Sequence, residues 1–508
     1  MNRKIAFLVV ITVLCTGFLS CVKEAVEDLQ QVENRALRAW IKKNKPELLE
    51  NYQEEGGYYV DVKQWGDVTT IKEGNDFGGE PIMDQDTCWM FYRFTGYNLS
   101  GDVCITRSEN VARLQGKYSV YTHYVPYLNY CGVSNDNGLM EGTYISTRNE
   151  IKLGEEYVKN NPECHSTTFR MRKGSKVWLY LPSSIGFGTS STSPSGGYEG
   201  QFTLDNSKPM IMEVEILRVI KNPSDKEIGM VDQLVAHSNL TYGRDVWKKV
   251  EKPEDEDKDL EDETEDEFFK GLYYNTDYDP SNVSTSTFGY MKPENLDIDV
   301  KNAYHDNGAY SNMSELETKI DSILVAKFKD RAIPESERTD DNLIGTGGVA
   351  KIWYVGRFLD GFVFDTNIPE IKQLIDKTAS SSSSVISYCA ESDETSYITA
   401  WYHCVPKLYY GSFASIMTTS GFAYGNAGVS GSTSSSSSAS YDYSLYDPYY
   451  SGYYDYYGYY NTYMNPYGYY DYSNYSGSSS ANVDTSTIST EILPYNPLIF
   501  YVFIEKKK

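Results

Sequence analysis

Fourteen residues, YVGRFLDGFVFDTN from Tyr354 to Asn367, carry the densest chemical signal in the chain. Leu359-Asp360-Gly361-Phe362 reads as a tight β-hairpin, because Asp-Gly tolerates the positive φ of a primed turn and apolar residues alternate on both sides. The hairpin would carry an aromatic-acidic pair, Phe364-Asp365. The residues alone leave a second reading open, since aromatics at strand spacing also build core and Asp365-Thr366 also caps a turn. Zinc ligation lacks its spacing. There is no CxxC, and His123, His165, His237, His305 and His403 lie scattered without ligand spacing, so no zinc site is inferred. His403 is expected at the surface.

Two further blocks follow in order, YITAWYHCVPKLYYGSFASIMTTSGFAYG (Tyr397 to Gly425) and LPYNPLIFYVFIE (Leu493 to Glu505). Together with the hairpin they resemble the FKBP-type peptidyl-prolyl cis-trans isomerases. The hairpin matches the family's first strand pair. The second block matches its Val-Ile-x-Gly-Trp helix, small-residue turn, core strand and Ala-Tyr-Gly end, and the third its proline-rich turn and last strand. The resemblance implies an α+β fold, a twisted antiparallel sheet wrapped on a short helix, and catalysis of Xaa-Pro rotation without cofactor or metal. It implies catalytic roles for Asp365, Tyr424 and Trp401, with Tyr354, Phe364, Ile398 and Phe500 binding substrate. Three departures stand out: Ala400 replaces the helix glycine, Ser420-Gly421 replaces the usual proline before Phe422, and a long insert remakes the flap.

The first half repeats this plan in weaker form. Gly96 and Gly101 lie 260 residues before Gly356 and Gly361, and Gly174 and Gly188 lie 237 before Gly411 and Gly425. YRFTGYNLSGDVCIT aligns with the hairpin, MRKGSKVWLYLPSSIGFG with the core strand, and NSKPMIMEVEIL with the last strand. The copies differ at the pocket: Cys104 and Ile105 stand where the second has Phe364 and Asp365, and Cys164, Phe187 and Met212 answer Trp401, Tyr424 and Phe500. Two FKBP-like domains are therefore expected, with catalysis in the second.

At 508 residues the chain exceeds one typical domain of about 100–200 residues. Residues 1–21 read as a signal segment, Arg3 and Lys4 preceding an apolar run too short to be read as a spanning helix. Gly17 to Cys21 resembles a lipobox, which implies acylation at Cys21, a lipid anchor and a place in the cell envelope, at the outer membrane, facing the periplasm or the surface. The pattern is similar to lipoproteins of the Bacteroidetes. Lys23 to Asn44 has apolar residues at helical spacing and predicts an amphipathic helix, either packed on the first domain, a tether, or a dimerisation element. The expected divisions are 22–50 for that helix, 51–221 and 341–508 for the two domains, 222–340 for an acidic linker region, and a Tyr/Ser-rich insert at 429–487.

A formal charge of -25 argues against a nucleic-acid partner, which needs a basic face. Pro253 to Glu267 repels itself and reads as solvated linker; it lacks the glycine-punctuated spacing of an EF-hand loop, and calcium is the weaker reading. Besides Cys15 and Cys21 six cysteines remain, and an oxidising compartment permits disulfides whose pairing the sequence does not specify. The insert lacks an aliphatic core; its tyrosines offer contact area for polypeptide or glycan, or it is a tolerated loop, or a lid. The leading expectation is an envelope isomerase acting on proline-containing polypeptides during folding. The alternative is a non-catalytic FKBP-like surface lipoprotein that binds polypeptide or glycan.

Overall fold

The computed structural model describes residues 29–69, 74–116, 118–133, 139–186, 208–250, 269–276, 278–281, 313–377, 379–382, 384–391, 397–429 and 490–506. Cys21, Phe187, the acidic run Pro253 to Glu267 and nearly all of the Tyr/Ser-rich insert lie outside them.

Helix α1 (Leu29–Asn44) leads into β1 (Tyr52–Gln53), β2 (Tyr58–Gln64), the long β3 (Trp89–Asn98), β4 (Val103–Thr106), α2 (Glu109–Leu114), β5 (Tyr127–Tyr130) and α3 (Glu141–Arg148). The first copy continues with β6 (Ile151–Lys152), α4 (Glu155–Asn160), β7 (Thr168–Phe169), β8 (Lys176–Leu181) and β9 (Met210–Ile220). The second comprises α5 (Pro223–Tyr242), β10 (Lys248–Lys249), β11 (Leu272–Asn275), α6 (Met313–Phe328), β12 (Val349–Phe358), β13 (Val363–Thr366) and α7 (Pro369–Ile375). It ends with β14 (Ile386–Cys389), α8 (Thr399–Cys404), β15 (Phe413–Thr418) and β16 (Leu498–Lys506).

Fourteen of these strands form two seven-stranded sheets of the same strand order, β1-β2-β8-β9-β3-β4 with β5 also on β3, and β10-β11-β15-β16-β12-β13 with β14 also on β12, while β6 and β7 pair as a small separate ribbon. All ladders are antiparallel, which gives the α+β class. The registers match around the hairpin, although β3–β9 has an extra bulge at Phe91-Tyr92 that β12–β16 lacks. Gly96 faces Met212 and Ile105, Gly356 faces Phe500 and Asp365, and the same bulge follows each glycine. Both glycines are required by close approach, because a Cβ would fall 2.7 Å from Ile105 in one copy and 2.6 Å from Phe364 in the other.

Helix α1 packs on the first sheet, burying Leu37 and Ile41 among Val60, Val177 and Leu179. It is thus part of the first core rather than a free tether. The interval 222–340, expected as linker, is corrected: α5, β10, β11 and α6 all belong to the second unit, with β11 paired to β15 over four residues. Composition hid this, because the acidic run dominates the interval and the two-residue β10 has no periodicity to read. Helices α5 and α6 cover the second sheet's back face, where Phe328 stacks on Phe503 at 4.3 Å and Tyr278 on Tyr501 at 4.6 Å. With α8 on the other face, β15 and most of β16 are buried on both sides. Their near-continuous apolar sequence follows from that double burial.

The copies touch through the chain between β4 and β5. His123 lies flat on Phe358, centroids 4.3 Å apart, and its Nε2 meets Asp360 at 2.7 Å with both side chains buried. Arg107 pairs with Glu491, and the Tyr121 hydroxyl donates to Asp376. Val125 enters the second core.

Candidate functional site

The hairpin is present, with one correction. Only Gly361 has a positive φ, +88°, so the turn is not of the primed type; Phe358 N–H donates to Phe362 O, and Asp360 Oδ1 accepts from Phe362 N–H at 3.0 Å. The Asp-Gly signal found the turn because both types want glycine at that place.

Strands β12 and β13 bring Tyr354 and Asp365 together across the ladder, where the Tyr354 hydroxyl donates to Asp365 Oδ2. The other Asp365 oxygen accepts from Thr366 N–H at 2.8 Å. Asp365 is 6% exposed, and burial raises its carboxyl above the usual range, opposed by the Tyr354 bond, by Lys372 and by the Thr366 bond. Thus Asp365 both caps its neighbour and holds the tyrosine. Asn367, which the sequence reading passed over, fixes the same strand: its side chain accepts from Tyr354 N–H at 2.9 Å and donates to Ile352 O at 2.9 Å.

Aromatic rings enclose this pair. Trp401 on α8 stands edge-on to Tyr354 at 5.5 Å and to Phe500 of β16 at 5.6 Å. Phe364 is edge-on to Phe500 at 5.8 Å and to Tyr424 at 6.2 Å, and Phe358, also unremarked in the sequence, backs it at 5.3 Å. Edge-to-face packing makes a rigid apolar box. The Trp401 indole N–H is buried without an acceptor among the described residues. Ile398 is the extended residue that precedes and caps α8, its carbonyl accepting from Trp401 N–H at 2.8 Å. Burial, with the Asp365 charge adding to it, pushes the Tyr424 hydroxyl up, so it remains a neutral donor at ordinary pH. All seven residues singled out in the second copy therefore converge on one face of the sheet.

His403 is half-buried, its ring packed on Phe269 at 4.7 Å, and that burial lowers its pKa to about 4. Among the described residues no group of three or more His, Cys, Asp or Glu could hold a metal ion.

The first copy keeps the frame without the pair. By register, Phe94 replaces Tyr354 and Ile105 replaces Asp365, so hydroxyl and carboxylate are lost together. Its equivalent interior holds Cys104, Cys164 and Met212, all buried. The exchange of Tyr354 for phenylalanine was visible at the 260-residue offset once the ladder pointed to it.

No family model and no curated protein matches the chain. Similar solved structures include the three FKBP domains of wheat FKBP73, with 10% identity over 89% of this chain and 95% of that one and a TM-score of 0.19. FkpA from Escherichia coli is 12% identical over 44% of this chain and 74% of that one, TM-score 0.21. A peptidyl-prolyl cis-trans isomerase from Pseudomonas syringae is 14% identical over 37% of this chain and 95% of that one, TM-score 0.21. These scores are too low for the likenesses to bear on function.

Proposed function

We propose that the second copy is a peptidyl-prolyl cis-trans isomerase of the FKBP type that assists the folding of extracytoplasmic polypeptides. The observation that carries this reading is the Tyr354 hydroxyl bonded to Asp365 inside an aromatic box, in one copy and not the other. Xaa-Pro rotation has a barrier of about 18–20 kcal/mol and takes tens to hundreds of seconds unaided. A twisted imide loses resonance and becomes less polar, so a dry aromatic pocket favours it over the planar ground state. In this reading Trp401 floors the proline ring, and Tyr354, Phe364 and Phe500 wall it. The Ile398 amide and the Tyr424 hydroxyl hold substrate carbonyls. Asp365, held by Tyr354, supplies a fixed carboxylate beside the rotating bond.

No helix among the described residues is long and apolar enough to cross a membrane. Anchoring is assigned to a lipid on Cys21, in the cell envelope at the outer membrane. A second reading, a non-catalytic protein that binds polypeptide or glycan, is favoured by one fact: Tyr354, Phe364, Asp365, Trp401 and Phe500 are each 8% exposed or less. The test is the cis-to-trans rate of an Xaa-Pro peptide with the full chain, against the chain carrying Asp365→Val and Phe364→Ala. Acceleration abolished by the pair of substitutions supports catalysis in this box; a wild-type rate equal to buffer rejects it.

A further inference from the structure

One polar contact recurs in both copies outside the site. In the first, Glu33 of α1 accepts from the backbone N–H of Ser183 and, at 2.6 Å, from its hydroxyl, at the 3-10 turn that follows β8. In the second, Glu227 of α5 accepts from the N–H of Ser420 and, at 2.9 Å, from its hydroxyl, at the turn that follows β15. Ser183 and Ser420 are 237 residues apart, the same offset that relates Gly174 to Gly411. The two carboxylates are 6% and 3% exposed. A buried carboxylate is stable only where donors replace its water, and both find the same two donors.

In the second copy this contact lies four residues before Tyr424. Ser420 O accepts from Ala423 N–H at 3.0 Å and from Gly425 N–H at 2.9 Å, and its hydroxyl also meets Asn426 Oδ1 at 3.1 Å. Gly425 then takes a φ of +84°, which turns the chain away and leaves the Tyr424 ring against Phe364. Ser420 is therefore the node of the turn, and Glu227 holds the node. Proline at this position would have no N–H to offer, and serine adds a hydroxyl as the second donor to Glu227.

We propose that Glu227, acting through Ser420, is a positioning residue that sets the Tyr424 hydroxyl for the peptide substrate. This assignment rests on the isomerase reading of the second copy. Burial raises the Glu227 carboxyl to about 7 against the pull of its two Ser420 bonds. Plain helix packing would be served better by an apolar side chain there. The first copy supplies an internal control, since it has the same tie and no tyrosine-carboxylate pair.

The experiment uses the full chain with 3-fluorotyrosine placed at position 424 alone, and the variants Glu227→Ala, Glu227→Gln, Ser420→Ala and Glu33→Ala. Glu227→Ala is expected to shift or broaden the fluorine resonance and to lower kcat/KM for an Xaa-Pro peptide at least tenfold. Glutamine can accept from the Ser420 N–H and donate to its hydroxyl, so Glu227→Gln should restore the rate to within threefold of wild type. Glu33→Ala should lower thermal stability as much while leaving resonance and rate unchanged. If Glu227→Ala does not fold, Ser420→Ala, which keeps the N–H bond, should move the resonance the same way. An unmoved resonance, or an equal rate loss in Glu33→Ala, overturns the proposal. A wild-type chain without activity rejects the isomerase reading, and the resonance still decides whether Glu227 places the Tyr424 ring.

Discussion

Gly356 offers the sharpest physical test, because the strand pairing leaves no room there for a side chain. A Cβ at this position would sit 2.6 Å from Phe364 Cζ, 2.9 Å from Cε2 and 3.1 Å from Cε1. Phe364 cannot swing into solvent. It is 1% exposed, with Phe358 at 5.3 Å, Phe500 at 5.8 Å and Tyr424 at 6.2 Å around it. Gly356→Ala must therefore push the ring into its aromatic neighbours, an overpacking that costs about 1–3 kcal/mol. For a unit of roughly 150–250 residues, each kcal/mol lowers Tm by about 2–4 °C. The same displacement moves a wall of the proposed proline site, so peptide isomerisation should fall together with Tm. Gly96→Ala is the matched control: its Cβ would meet Ile105 at 2.7 Å and the flexible tip of Met210 at 2.9 Å. It should cost the same or less in stability, methionine being adaptable, and nothing in rate. Calorimetry and a peptide rate assay on the full chain read both quantities. Unchanged Tm and rate in Gly356→Ala would mean that Phe364 yields freely, and equal rate losses in both variants would mean that the second pocket is not the seat of the rate.

Leu37→Ala or Ile41→Ala should each cost about 2–5 kcal/mol in a denaturation experiment, because α1 fills the first core; a change near zero would return α1 to the role of tether. His123→Ala leaves Asp360 buried without its imidazole and should cost about 1–3 kcal/mol, with a double-mutant cycle against Asp360→Ala measuring the coupling. Cys88 and Cys131 lie side by side with sulfurs 3.3 Å apart, and the bond from Cys131 holds the Cys88 thiol down. Both thiols are 0% exposed, so glutathione disulfide should leave the folded pair reduced and oxidise it only in denaturant concentrations that open the first core, each molecule taking two electrons and two protons to give two glutathiones, with thiol counts then falling by two. Glu227 has its pKa raised from 4.5 to about 7, so the folded state keeps the proton longer than the unfolded one. Its contribution is present below about pH 4.5 and lost as pH rises to about 7, on the order of 3 kcal/mol in all. Glu227→Gln should flatten that slope in Tm against pH, and a slope that persists would place it elsewhere.

Contacts within one hairpin or one ladder were legible from residue order; contacts between distant segments were not. The paired glycines announced the duplication because Gly96 and Gly356 leave no room for a Cβ and Gly101, Gly361, Gly174 and Gly411 take a positive φ, constraints that leave their mark at a constant spacing. Tyr354, Phe364 and Asp365 could be read together because they lie within twelve residues of one another on one hairpin. The ties from Glu227 to Ser420 and from His123 to Asp360 span 193 and 237 residues, and neither residue type announces a partner so far away. The strands and helices of 222–340 escaped for a related reason. Short edge strands and a helix over a sheet's back face take their stability from the surface they cover, not from a pattern of their own.

The two-fold plan and the hairpin were legible in residue order, since each depends on local backbone demands or on a repeated spacing, whereas the aromatic-acidic set was picked out by its resemblance to a known family. Which helix braces which turn, where the second unit begins, and that the two copies meet at a buried histidine emerge only in the folded chain. Those outcomes depend on which surfaces meet once the sheets have formed, and a one-dimensional pattern holds no record of that meeting.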